Sequence, residues 1–367
     1  MKILVTGANG FIGKNLCFQL EEHGFTDIIK IDRSHTVEEL DSALASADFI
    51  YHLAGINRPL HDDEFKQGNT NLTLHIVDKL KELDRKTPIL LSSSIQAEQS
   101  NAYGVSKALA EEAVRGYAEQ SKAKVYIYRL PNVFGKWCRP NYNSVVATFC
   151  HNMAHDLPLT INDPSAKVNL VYIDNVCEHF IHHLTNDEQS GEQSIKPVYP
   201  TTVGDIANAL EAFKASKTSL VTENVGSGFL RALYSTYISY YPPEQFSYTV
   251  PSYTDPRGSF CELLKTKDAG QFSFFTAHPG ITRGGHYHHT KNEKFLVIKG
   301  EAAFRFEHIA TGECYELKVA GNDYRVVETV PGWTHDVTNI GESELIVMLW
   351  ANEIFDRNNP DTFAKPL

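Results

Sequence analysis

Three groups of residues in this 367-residue chain have types and spacings that could do chemistry. The densest lies in "GITRGGHYHHTKNEKFLVIKG", residues 280–300. On a β-strand, residues two apart share a face, so His286 and His288 project together and Glu293 can join them from the next strand. Further on, "PGWTHDVTN" (331–339) offers His335. Three imidazoles and a carboxylate suit one divalent transition metal, with Zn, Mn, Fe and Ni all compatible. The second group is "TGANGFIG" (6–13), with Gly7, Gly10 and Gly13 between a strand and a helix opened by Phe11 and Ile12. Such glycines permit a tight turn and close backbone approach to a pyrophosphate at the helix N-terminus. The next strand ends in "KIDRSH". Its Asp32 suits the ribose hydroxyls of NAD and its Arg33 the 2′-phosphate of NADP; Arg33, directly after the strand, tips the expectation to NADPH. The third group is "YGVSK", which puts Tyr103 and Lys107 on one helical face. A nearby ammonium is expected to lower the tyrosine pKa and suit it to proton exchange with a carbonyl or carbinol oxygen. Lys107 can also bind the nicotinamide ribose. The strand "TPILLSSS" ends beside this pair, and either Ser93 or Ser94 could polarise a substrate carbonyl.

The elements that must position these groups are legible as patterns. "KILVT", "DIIKID", "ADFIYHLA", "TPILLSSS" and "AKVYIYRL" are near-continuous apolar runs, as parallel strands buried on both faces should be. Helical spacing fills the intervals, which implies an α/β doubly wound parallel sheet of the Rossmann type. After the double proline of "YYPPEQFSY" the chain turns to short alternating runs and glycine turns, the signature of an antiparallel sandwich or barrel. We place the boundary at residue 245, giving a reductase-type domain over 1–245 and an all-β domain over 246–367. A net charge of −11 without any basic run argues against a nucleic-acid partner. No apolar stretch approaches the roughly 18 residues that insertion into a bilayer requires. The N-terminus reads straight into a strand rather than a signal peptide. Six scattered cysteines (17, 138, 150, 177, 261, 314) suggest mostly buried thiols in a reducing compartment, so a cytoplasmic location is expected.

Residues 1–240 resemble the extended short-chain dehydrogenase/reductase family, whose members mostly act on nucleotide-sugars. The resemblance rests on the glycine motif, "HLAG" (52–55), "NTN" (69–71), the Tyr–Lys pair, "YRLPNVFG" (128–135) and "NLVYIDNV" (169–176). It implies that Leu53 and Ala54 line the coenzyme cleft and that Arg129 and Asn132 lie near nicotinamide and sugar. Asp174 would sit at a strand-to-helix turn by the substrate, or merely cap the helix. The segment "IQAEQSNA" (95–102) departs from the family by its shortness, which should leave the cleft more open. Residues 280–300 and 331–339 resemble the two cupin motifs, with a jelly-roll barrel implied. "GITRGGHYHH" also resembles the metal-free 3,5-epimerases of deoxynucleoside-diphosphate sugars, in which that histidine is the base. His286 is therefore a ligand or a base, and in the second case His288, Glu293 and His335 remain as a three-ligand site. Together the two halves resemble the bifunctional CapF-type enzymes of capsular polysaccharide synthesis. That resemblance implies C3 epimerisation of a UDP-linked 4-keto-6-deoxy amino sugar, C4 reduction with NADPH, zinc in the cupin, and a homodimer. The rival readings are a 4-ketosugar reductase with a structural or metal-dependent regulatory cupin, and a nucleotide sensor without turnover.

Overall fold

The computed structural model describes residues 1–367 apart from 60, 62, 187, 251, 256–257, 262–263, 267–269 and 354–357; for 252–255, 258–261, 265 and 271 it describes backbone only. Cys261 thus lies outside the described side chains. Of the other five cysteines, four are buried thiols and Cys314 is exposed. The chain packs as two compact units. One comprises Met1–Phe134, Tyr142–Ser144 and Val168–Pro200; the other comprises Gly135–Asn141, Val145–Lys167 and Thr201–Leu367.

The first unit begins with β1 (Ile3–Thr6), α1 (Phe11–Glu22), β2 (Ile28–Ile31), α2 (Val37–Ser46) and β3 (Phe49–His52). It continues through α3 (Leu72–Glu82), β4 (Ile89–Ser94), α4 (Ala102–Ser121), β5 (Val125–Leu130), α5 (Ile173–Thr185) and β6 (Gly191–Gln193). The strands form one six-stranded sheet in the order β2-β1-β3-β4-β5-β6. Every pairing in it is parallel. β1 and β3 are buried throughout, because helices cover both faces of such a sheet. Leu4, Ile50, Ile89, Leu91 and Val125 pack on one side against α2, α3 and α4 through Leu44, Ile76, Leu80 and Val114. The expected parallel strands are all present. The "NTN" segment differs in detail, since it closes a wide π-helical turn, Lys66–Asn71, ahead of α3.

The second unit carries α6 (Val203–Ser219) and α7 (Gly228–Ile238), then β7 (Ser247–Thr249), β8 (Gln271–Ala277), β9 (Thr282–Tyr287) and β10 (Glu293–Lys299). There follow β11 (Glu301–His308), β12 (Cys314–Ala320), β13 (Arg325–Glu328), β14 (Trp333–Asn339), β15 (Leu345–Ala351) and β16 (Phe363–Ala364). These strands make two five-stranded antiparallel sheets, β7-β13-β10-β15-β8 and β12-β11-β14-β9-β16. The all-β expectation holds, and both sheets are open at their edges among the described residues. The register of β9 on β14 slips between Gly284 and His286. Gly284 has φ +105°, and a Cβ there would stand 2.9 Å from the His335 carbonyl oxygen, so the bulge needs a glycine. Its effect is to set His286 directly opposite His335.

Candidate active sites

β1 and β3 are neighbours, and the crossovers that leave them, β1 to β2 and β3 to β4, run in opposite directions and open a crevice at the carboxyl ends of the two strands. Both motif segments stand there. Gly7 has φ +70°, and a Cβ on it would meet the Ala54 nitrogen at 2.8 Å. A Cβ on Gly13 would fall 2.2 Å from the Gly7 carbonyl oxygen, so α1 can approach its own entry turn only without one. Gly10, extended at φ −72°, caps α1 without a side-chain hydrogen bond. The helix therefore presents its first-turn N–H groups, at Phe11, Ile12 and Gly13, to an anion. That crowded glycine turn with an uncapped helix start fits a dinucleotide pyrophosphate. Leu53 and Ala54 follow β3 and are held by Thr6, whose carbonyl accepts from the Leu53 N–H (3.3 Å) and whose hydroxyl accepts from the Ala54 N–H (3.2 Å). Buried His52 bridges Thr6 and Thr73 through its two ring nitrogens (2.8 and 2.9 Å), and burial pushes its pKa down to about 3, leaving it neutral. The Asp32 carboxylate accepts from the Ser34 N–H (2.9 Å) and hydroxyl (2.6 Å) and from the Asn9 amide. Those bonds, with His35 at 3.0 Å, hold it below the ordinary carboxylate range. Arg33 beside it is exposed.

Ser94 ends β4, and Tyr103 stands in the first turn of α4, whose cap Asn101 accepts from the Gly104 N–H at 2.7 Å. Ser94 lies on the Tyr103 side, near enough to favour the phenolate. Ser93 faces elsewhere, donating to Glu111 at 2.6 Å. Lys107 is buried and donates to the Ser92 carbonyl at 2.8 Å. Desolvation lowers its pKa to about 8, against the pull of Glu111. The expected lowering of the Tyr103 pKa by this ammonium is not what the structure has. Burial outweighs the influence of Ser94 and raises the phenol above its usual 10. Arg129 is committed to a fork on Glu111, with Nε to Oε1 at 2.9 Å and Nη2 to Oε2 at 2.8 Å. Asn132 is exposed and donates to the Asn169 carbonyl at 3.4 Å. Asp174 does not cap its helix, since Tyr172 holds that position; it accepts from Gln19 at 3.0 Å. Two supports were given no role by the motif reading, although the first lies in its "NTN" segment. Asn69 bonds both the N–H (2.7 Å) and carbonyl (3.0 Å) of Ile56 and the Ser106 hydroxyl (2.9 Å), fixing the chain above Lys107. Buried Glu111 was the other; it sits one helical turn beyond Lys107, a spacing that could have flagged it.

The histidine motif converges in space. His286, His288, Glu293 and His335 each offer a ligand atom, and these atoms lie within 4.8 Å of one another. They come from both sheets of the second unit: His286 from β9, His288 just beyond it, His335 from β14 and Glu293 from β10. Glu293 Oε2 lies 3.3 Å from His288 Nε2 and 3.4 Å from His335 Nε2. Lys291 approaches the other carboxylate oxygen at 3.3 Å. Both His335 ring nitrogens are buried without a hydrogen-bond partner. Burial, then the neighbouring imidazoles His335 and His288, pushes His286 down to about 3, so it is neutral at physiological pH. Burial raises the Glu293 carboxyl, but the neighbouring His288 and His335 imidazoles outweigh it and hold the group well below its ordinary value. Neutral imidazoles, an ionised carboxylate and an orphaned buried histidine fit a divalent cation. Asp361, some seventy residues downstream, contacts this group as well, with no local signal to announce it.

The NAD dependent epimerase/dehydratase family profile matches residues 3–196, and that of the polysaccharide biosynthesis C-terminal domain matches 253–363. The capsular polysaccharide assembling protein CapF of Staphylococcus aureus, solved by crystallography, is 44% identical, with 100% of both chains covered and a TM-score of 0.68. The chain is a CapF-like member of the NAD dependent epimerase/dehydratase family. A relative from Pseudomonas aeruginosa, UDP-2-acetamido-2,6-beta-L-arabino-hexul-4-ose reductase, is 54% identical over 365 residues, covering 99% of this chain and 98% of its own. UDP-glucuronic acid 4-epimerase from Bacillus cereus shares the fold over 57% of this chain and 83% of its own, at 23% identity and a TM-score of 0.50. Family membership implies a nicotinamide coenzyme and an oxidoreductase or related activity. Among the described residues, no helix of this CapF-like chain is long and apolar enough to cross a membrane.

Proposed function

We propose that this chain is a bifunctional nucleotide-sugar enzyme working in capsular polysaccharide synthesis. Residues 246–367, a cupin, epimerise C3 of a UDP-2-acetamido-2,6-dideoxy-4-ketohexose. Residues 1–245 then reduce C4 with NADPH to UDP-2-acetamido-2,6-dideoxy-L-talose. The observation that carries the reading is the pairing, in one chain 54% identical to a hexul-4-ose reductase, of the Ser94–Tyr103–Lys107 group with the His286, His288, Glu293 and His335 cluster. A homodimer in the cytoplasm is part of the same proposal.

In the reductase the coenzyme supplies the hydride. The work of Tyr103 is to deliver a proton to the developing C4 alkoxide, and a raised pKa keeps that proton in place until the oxygen arrives. Ser94 bonds the same substrate oxygen. Lys107 binds the nicotinamide ribose, and Arg33 meets the 2′-phosphate that distinguishes NADPH. Gly7, Gly10 and Gly13 admit the pyrophosphate at the start of α1.

A proton on C3 is removable because the C4 ketone stabilises the enolate. His288, Glu293 and His335 would hold a zinc ion, which supplies Lewis-acid polarisation of a carbonyl oxygen. His286, neutral and the one half-buried member of the cluster, either takes the C3 proton or completes the ligand set. The metal content of His286→Ala separates the two roles. A second reading, reduction alone with the cupin as a structural or metal-dependent regulatory module, is favoured by the Pseudomonas relative's name, which states only a reductase.

The deciding experiment is incubation of the whole protein with the 4-keto-6-deoxy nucleotide-sugar in heavy water without coenzyme, followed by NMR. Deuterium should enter C3, because abstraction precedes reduction. No exchange, with reduction intact once NADPH is added, would leave the second reading standing.

A further inference from the structure

The last residues of the chain, far from the histidine motif in sequence, fold back onto it. β16 pairs antiparallel with β9, setting Ala364 opposite His286 and Phe363 opposite Tyr287. The Phe363 ring stacks on Tyr287 at 5.5 Å and meets His289 edge-on at 4.9 Å. The Lys365 N–H donates to the Gly285 carbonyl at 2.8 Å, and its carbonyl accepts from the Thr334 hydroxyl at 2.6 Å. Each of these contacts lies at, or next to, a member of the metal cluster.

Asp361 is the centre of this arrangement. Its carboxylate accepts from the backbone N–H groups of His289 (2.9 Å), Thr290 (2.6 Å) and Lys291 (2.6 Å), and from the Thr290 hydroxyl (2.9 Å). Its backbone carbonyl meets His288 Nδ1. A carbonyl oxygen can only accept, so Nδ1 carries the proton and the lone pair of Nε2 faces the cluster, 3.3 Å from Glu293. One residue therefore sets both the course of the loop after His288 and the tautomer of that histidine. α7 grips the same loop, with the Ser235 hydroxyl donating to the Thr290 carbonyl at 3.0 Å and Arg231 reaching the Thr290 hydroxyl and, at 3.8 Å, the Asp361 carboxylate. The loop cannot keep its shape by α7 alone, because three successive N–H groups would lose their common acceptor.

We propose that the C-terminal segment, acting through Asp361, is a positioning element of the metal centre, so that ion binding and docking of the tail are one coupled event. The inference rests on the metal reading of the cluster given above. Partners that orient a metal-bound histidine typically contribute 10–100-fold in metal affinity, about the scale expected for Asp361. Coupling of two binding events is reciprocal, so the ion must hold the tail as firmly as the tail holds the ion.

The test uses the full-length chain, stripped of metal and reloaded with Zn²⁺ or Co²⁺ in competition with a chromophoric chelator. Asp361→Asn places an amide NH₂ against backbone donors and should weaken Zn²⁺ by about 10–100-fold. It should also alter the visible absorption of bound Co²⁺, which reports ligand geometry, while NADPH binding stays as in the wild type. Thr290→Val removes one of the bonds to Asp361 and should act in the same direction by a few-fold, which keeps the question open to measurement if Asp361→Asn fails to fold. In the reciprocal arm, carboxypeptidase should trim the tail past Phe363 more slowly with Zn²⁺ than without it. Unchanged Zn²⁺ affinity and Co²⁺ absorption in both variants, or trimming indifferent to Zn²⁺, overturns the inference while the metal reading survives. A wild type that binds no ion sinks the metal reading and this inference together.

Discussion

Glu111→Gln tests whether the ionic network behind Tyr103 stabilises the reductase fold. Glu111 is 0% exposed and accepts the Arg129 fork, the Ser93 hydroxyl and a salt bridge from Arg115 at 3.1 Å. Glutamine keeps the length but presents an NH₂ to one guanidinium and withdraws the charge from both. Removing one partner of a buried ion pair costs about 3–5 kcal/mol. Arg129 keeps a quarter of its side chain in water and a second partner, Glu98, at 3.1 Å, which moderates the loss. We therefore expect about 3 kcal/mol, or an unfolding transition lowered by about 6–12 °C for a unit of this size. Acid should erase the difference. Bonds from Arg129 and Ser93 and the nearby guanidinium charges hold the Glu111 pKa below its ordinary 4.5, against burial, which raises it. A group whose folded pKa is depressed contributes stability that is full above the unfolded value and is lost as pH falls through the folded one. The gap between wild type and variant should be constant from pH 8 to about 5.5 and should narrow below about 4.5. Calorimetry or chemical denaturation across that range measures it. A gap under about 1 kcal/mol at pH 7, the scale of an exposed pair, would refute the reasoning, as would a gap that persists unchanged into acid.

Tyr103→Phe should abolish coenzyme oxidation in a spectrophotometric assay while leaving NADPH affinity within a few-fold and, under the two-site proposal, leaving deuterium exchange at C3 intact. Arg33→Ala should weaken NADPH far more than NADH, by roughly 1.5–3 kcal/mol in a titration if a charge-assisted contact is lost; equal effects on both would return Arg33 to the surface. Elemental analysis should find about one transition-metal ion per chain, and His288→Ala or Glu293→Ala should empty the site. His286→Ala should lose C3 exchange in either role, but lose metal only if His286 is a ligand.

What the sequence made legible was what short-range geometry decides. A strand's period of two joined His286 to His288, a helix's period put Tyr103 over Lys107, and the glycine spacing marked the turn into α1. His335 was found by its motif, though the bulge that sets it opposite His286 shows only in the register. The long-range partners were not legible. Asp361 reaches its loop across some seventy residues, and nothing local distinguishes it from a surface carboxylate. Arg129 was placed near the sugar by its motif, yet the structure spends the Nε/Nη2 edge of its guanidinium on Glu111 and its Nη1 on Glu98. The choice between Ser93 and Ser94 was equally closed to the sequence, because adjacent residues on a strand point to opposite faces and only packing says which face holds Tyr103.

The electrostatics separate two classes of residue that a motif search treats alike. Desolvation pushes the groups assigned to chemistry away from their charged forms: Tyr103 is raised, His286 is drawn down to about 3, and Lys107 is drawn down to about 8, which still leaves it an ammonium at neutral pH. The fixed charges stand one layer back, where Glu111 and Asp361 each gather several donors and are held ionised. A neutral phenol can give a proton and a neutral imidazole can accept one or ligate a cation, whereas a committed carboxylate can only hold its neighbours in place. Substitutions should divide along the same line. Loss of Tyr103 or His286 should remove chemistry with the fold intact. Loss of Glu111 or Asp361 should lower stability or metal affinity first, with chemistry slowed only as far as the reacting groups drift.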